Sequence, residues 1–183
     1  MRVMVIFDAV DDGTKHVVRI LTGSLRDERW RLDSSEVYEV NDEDIRLSNL
    51  LILGSGRGFT PREGSTVPVS PLMEDFLNHI EQLGIKDKRC VAFGTRPHYA
   101  LAGEGATSYM QDRLYDMGAK MLIDGMSFDI ENETTLSMAT VKRVEEFAEQ
   151  IKRAFVGDMT NRYGKMTPYR GRISDGSDRE IRP

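Results

Sequence analysis

The sequence is poor in the residues that most often announce a function. There is one cysteine, Cys90, in 183 residues. A lone cysteine excludes an intramolecular disulfide and a cysteine-rich zinc site. Histidine is scarce too, three in all. His16 and His79 fall in helical patterns and His98 in a loop, none beside an evident nucleophile, and no G-x-S-x-G segment is present. No apolar run approaches the ~18 residues of a membrane-spanning helix. Residues 1–8 read as a strand, without the apolar core or cleavage site of a secretory signal, so a reducing cytoplasm is the expected setting. An excess of positive charge is also lacking. Twenty-five Lys and Arg against 30 Asp and Glu leave a net charge of −5, which speaks against a nucleic-acid binder or an anionic-membrane binder.

What is present is one domain's worth of chain with enough apolar content, 39%, to bury a core. The charge is uneven. Residues 157–183 carry a net +2 with four glycines and two prolines, and the first 156 residues carry −7. This composition divides the chain into a domain over 1–156 and a C-terminal extension over 157–183, loosely ordered or docking on a partner.

Within the domain, short apolar runs alternate with amphipathic stretches. Val3 to Phe7, Asn49 to Gly54, Arg89 to Gly94 and Lys120 to Ile123 read as strands buried on both faces, and Glu36 to Val40 as a short alternating strand. Thr14 can cap a helix whose Val17, Val18, Leu21 and Leu25 share one face. Pro71 opens a helix that turns Leu72, Met73, Phe76, Leu77, Ile80 and Leu83 inward and ends at Gly84. Met110, Leu114 and Met117 mark another, closed by Gly118. Val141, Val144, Ala148, Ile151 and Phe155 mark the last. Buried strands alternating with helices imply an α/β protein, its parallel sheet covered on both faces. Such sheets bind ligands beyond the carboxyl ends of their strands. The loops that leave those ends, 8–14, 55–70 and 95–105, are therefore where function is expected.

Leu51-Ile52-Leu53-Gly54-Ser55, Pro71 to Leu77, Val91-Ala92-Phe93-Gly94-Thr95, Leu114 to Gly118, Met121 to Asp124 and Ser127-Phe128-Asp129, in this order, resemble the flavodoxin family over roughly residues 1–155. The resemblance implies a three-layer flavodoxin-like sandwich with a five-stranded parallel sheet of order 2-1-3-4-5. It also implies non-covalently bound FMN and electron transfer to a redox partner protein or a small-molecule acceptor. An FMN-dependent oxidoreductase, such as a quinone reductase, is the enzymatic variant. The phosphate would sit in the loop after the first strand, matched here by Ala9-Val10-Asp11-Asp12-Gly13-Thr14, so that Asp12, Gly13 and Thr14 are its candidates. The ring would lie between Phe59 and Tyr99, with His98 in reserve, and be lined by Ser55, Gly56 and Thr95. No residue of the chain would serve as acid, base or nucleophile, since the redox chemistry is the flavin's own.

The residues of that first loop also support a reading of another class. Ala9 and Val10 supply no hydroxyl, and Asp11 and Asp12 bring two negative charges toward the phosphate position. A like-charge pair at ~4 Å costs about 1 kcal/mol in water and more in a drier site. An FMN-free binding or assembly module is the reading these residues favour. Two phosphoryl-transfer patterns are not met, although Asp11, Asp12 and Thr95 would suit three positions of the first. A receiver domain needs an aspartate where the third strand ends in Gly54-Ser55. A haloacid-dehalogenase-type D-x-D-G-T motif needs one where Val10 stands.

Overall fold

The computed structural model describes residues 1–8, 12–56, 68–97, 105–131 and 136–163. The first strand, β1 (Arg2–Phe7), carries the apolar run Val3 to Ile6, all of it buried. It lies between two parallel neighbours, β2 (Arg31–Glu36) and β3 (Leu50–Gly56), with Val5 in register with Ser34 on one side and Ile52 on the other. β3 pairs in turn with β4 (Arg89–Pro97), setting Gly54 beside Phe93. The fifth position is filled by two short pieces, β5 (Lys120–Met121) and β6 (Met126–Ile130), both parallel to β4. The strand order is thus 2-1-3-4-5, as the sequence resemblance implies.

Alternation along each strand divides the core into two. Val3 and Val5 of β1, Leu50 and Ile52 of β3, and Val91 and Phe93 of β4 face one side. There they meet α1 (Asp12–Leu25) and α5 (Met138–Tyr163). Met4, Ile6, Leu51, Leu53, Cys90 and Ala92 face the other, against α2 (Asp42–Leu47), α3 (Pro71–Leu83) and α4 (Ala106–Asp116). Rings add directed contacts on the first side. Trp30 meets Phe155 edge-on at 5.7 Å, and Phe128 meets Phe147 in the same way at 5.7 Å.

Several elements differ from the sequence expectations. The second strand is Arg31–Glu36, ahead of the expected 36–40. As an edge strand with no fully buried residue it shows no apolar run, whereas the Val37-x-x-Val40 signal belongs to a turn, where Val37 N–H bonds to Phe7 carbonyl and Glu39 N–H to Glu36 carbonyl. The six-residue α2 is too short to show a periodicity; Asn41 caps it by accepting from Asp44 N–H. Leu72 faces solvent, half exposed at the start of α3, while Met73, Phe76, Leu77 and Ile80 are buried as expected. The expected strand over 120–123 pairs only at Lys120 and Met121 and is not fully buried. The chain then breaks and re-enters the sheet at Met126. At the break, a Cβ on Gly125 would lie 2.6 Å from the Ala92 carbonyl oxygen, a closeness that only glycine permits. Helix α5 continues across residue 157 to Tyr163, because Met159 extends the buried series of Ile151 and Phe155 by one more turn. Among the described residues no helix is long and apolar enough to cross a membrane.

Candidate functional site

β1, β3 and β4 end side by side at one edge of the sheet, and the connections that leave them hold the residues singled out from sequence. The closest tie among these is between Thr14 and Thr95. Thr14 lies in the first turn of α1, two positions after its start at Asp12, and not at the cap expected for it. Its hydroxyl lies 2.6 Å from that of Thr95, near the end of β4, with both residues buried. Thr14 was expected at the phosphate end and Thr95 along the ring; the structure places both hydroxyls at one point. Gly13 is buried beside them and Asp12 is exposed.

The second tie is one that sequence reasoning missed. Asp8 follows the apolar run of β1 and reads as the opening of a polar turn, yet it is 0% exposed. Its backbone N–H continues the ladder to the Gly54 carbonyl at 3.1 Å. Its carboxylate accepts from the Ser55 hydroxyl at 2.5 Å, from the Ser70 hydroxyl at 2.6 Å and from Gly56 N–H at 3.0 Å. An ionised carboxylate is costly to bury unless hydrogen-bonded, and two short hydroxyl bonds to the charged acceptor are of the strong kind. Ser55 and Gly56, expected to line a ring through hydroxyl and backbone, are thus both engaged by Asp8. A serine directly before a helix-opening proline is a cap signature, and Ser70 caps α3 by accepting from Met73 N–H at 3.1 Å.

The rim beside β4 carries a charged cluster. Arg96 Nε bonds Asp129 at 2.7 Å, and Arg143 approaches the other oxygen of that carboxylate at 3.7 Å. Arg143 also donates to the Ser127 carbonyl at 3.1 Å. Cys90 lies near the start of β4 with no exposure, and burial pushes its thiol up to about 12, so it is an inert core residue. His79, exposed on α3, pairs with Asp42 at 2.7 Å. Among the described residues no group of three or more His, Cys, Asp or Glu could hold a metal ion. Phe59, His98 and Tyr99, with Ala9, Val10, Asp11 and Arg57, lie outside the described residues.

No protein-family model matches the chain, and no curated protein does. Solved structures do. The chain superposes on rubredoxin oxygen:oxidoreductase from the anaerobe Desulfovibrio gigas with a TM-score of 0.67 at 22% identity, covering 86% of this chain and 37% of that one. It therefore spans just over a third of that larger protein. Flavodoxin 1 from Bacillus cereus matches with a TM-score of 0.69 at 15% identity, over 84% of this chain and 98% of the other. The flavodoxin of Streptococcus pneumoniae TIGR4 matches at 0.65 and 16%, over 84% and 99%. Strand order, helix placement and these superpositions agree: the chain has the flavodoxin-like α/β fold.

Proposed function

We propose that the chain is a flavoprotein of the electron-transfer type, holding FMN at the carboxyl ends of β1, β3 and β4. The observation that carries this reading is the meeting of Thr14 and Thr95. It sets two buried hydroxyls beside the first turn of a helix, at the strand ends where this fold takes its ligands.

The donor set fits the phosphate end of such a group. The first turn of a helix leaves N–H groups that the helix does not use, and its dipole favours an anion. Gly13 lets a ligand approach that backbone closely, and Thr14 adds a hydroxyl. Asp12 is exposed and can direct its charge to water. Ser55, Gly56 and Thr95 would line the bound group, with Phe59 and Tyr99 (or His98) against the ring faces. Bound FMN would supply the redox chemistry. The chain's own residues would bind it, orient it and keep water from it. The electrons would pass to a redox partner protein or a small-molecule acceptor, and a quinone reductase is the enzymatic form of the same reading.

The acidic residues around the first loop favour a second reading, a flavodoxin-like module that binds or assembles without FMN. Asp12 opens α1 with an exposed carboxylate, and Ala9 and Val10 of the same loop offer no hydroxyl. Incubating the purified chain with FMN and then removing free ligand by gel filtration separates the two. A yellow protein that bleaches on chemical reduction and recovers in air supports the flavoprotein. A colourless protein supports the module.

A further inference from the structure

We propose that Asp8 is a positioning residue that locks the end of β1, the end of β3 and the cap of α3 to one another; its effect on a ligand rests on the flavin reading above. Ser55 and Ser70 are fifteen positions apart, yet both donate to the same carboxylate oxygen of Asp8, at 2.5 and 2.6 Å. Ser55 lies in β3 near its end, and Ser70 is the cap of α3. The connection between strand and helix therefore leaves and returns at one point, with Gly56 N–H held on the second oxygen at 3.0 Å. Asp8 itself ends just where the 9–14 segment begins. One buried carboxylate thus fixes the start of the segment expected at the phosphate and both ends of the segment expected at the ring.

The direction of each bond makes this a specific device. Ser70 accepts from Met73 N–H, so its single proton goes to Asp8. The carboxylate accepts from Ser70 on one oxygen and from Gly56 N–H on the other, which a carboxylate does and an asparagine side chain cannot do on both sides. Holding Ser55, Gly56 and Ser70 on one carboxylate fixes these groups before any ligand arrives, and donors fixed in advance bind more tightly.

The test uses Asp8→Asn, Ser70→Ala and the two together, in the full chain, with FMN as the probe. Each single change should lower the ligand-free melting temperature by about 5 °C. The double variant should fall by less than the sum of the two single losses, since the Asp8–Ser70 link can be lost only once and only the Ser70 cap on Met73 N–H adds to it. Each should bind FMN about tenfold more weakly. The visible bands of the flavin that remains bound should shift toward those of free FMN, a change that loss of stability by itself does not produce. Additive losses in melting temperature would overturn the proposal, as would native affinity and spectrum in both single variants. If the native chain takes up no FMN, the flavin reading fails, and the link between Asp8 and Ser70 is decided by the melting temperatures alone. If Asp8→Asn does not fold, Ser55→Ala and Ser70→Ala, alone and combined, carry the same comparison.

Discussion

Thr14 and Thr95, 81 positions apart, share a 2.6 Å hydroxyl contact in the buried space between the first turn of α1 and the end of β4. That contact joins a helix packed on one face of the sheet to a strand two places away from β1. Thr14→Val and Thr95→Val keep shape and remove one hydroxyl each. On the flavoprotein reading, Thr14→Val should weaken FMN binding about fivefold, the equivalent of roughly 1 kcal/mol for one hydrogen bond. Thr95→Val should act in the same direction. Fluorescence titration of each variant with FMN, and with riboflavin for comparison, measures it; a larger loss for FMN places the pair at the phosphate.

Gly54 and Gly23 should respond in opposite ways to the same substitution. A Cβ at Gly54 would lie 2.0 Å from the Phe93 ring, which is packed in the core layer under α1 and α5 with Phe128 at 6.3 Å. Gly54→Ala forces the ring or the strand to move and should cost about 2 kcal/mol. Gly23 sits on the exposed side of α1 with nothing within 4 Å of its would-be Cβ. Gly23→Ala should stabilise by about 0.5–1 kcal/mol through helix propensity and lost unfolded-state freedom. Urea unfolding of both variants, with the slope checked against the native chain, reads the two signs.

Acid stability should depend on the Asp27–Arg29 pair. Arg29 donates from Nε at 2.7 Å and Nη2 at 2.6 Å, and its backbone N–H donates at 3.0 Å. These bonds, the guanidinium first, hold the Asp27 carboxyl down from 3.8 to about 2. Between those values the unfolded chain binds the proton and the folded chain does not, so this contribution is present above about pH 4 and is lost as pH falls toward 2. Arg29→Ala should return the Asp27 carboxyl toward its ordinary value and flatten that part of the stability curve. An NMR titration of the Asp27 carboxyl carbon in both proteins checks the shift directly.

The central strands were legible in the sequence for a physical reason. Val3 to Ile6, Leu50 to Leu53 and Cys90 to Phe93 are covered on both faces, so nearly every residue must be apolar and the run stands out. The helices that cover them show the spacing of one buried face. The edges were not legible. β2 pairs on one side only and can be built from Arg31-Leu32-Asp33-Ser34-Ser35-Glu36, a stretch with no hydrophobic pattern. The fifth strand is broken by a close approach at Gly125 that only the packed backbone reveals. The site divides the same way. Thr14, Ser55 and Thr95 were singled out through the resemblance, and the structure brings the hydroxyls of Thr14 and Thr95 together. Asp8 was missed because a carboxylate after a strand reads as solvated. Its burial depends on Ser55 and Ser70, which are 47 and 62 positions away.

Titrating FMN with the purified chain while following flavin fluorescence decides whether the strand ends around Thr14, Ser55 and Thr95 hold FMN. Saturable quenching with a one-to-one end point is the predicted result. Fluorescence that stays that of free FMN at every protein concentration would contradict the claim.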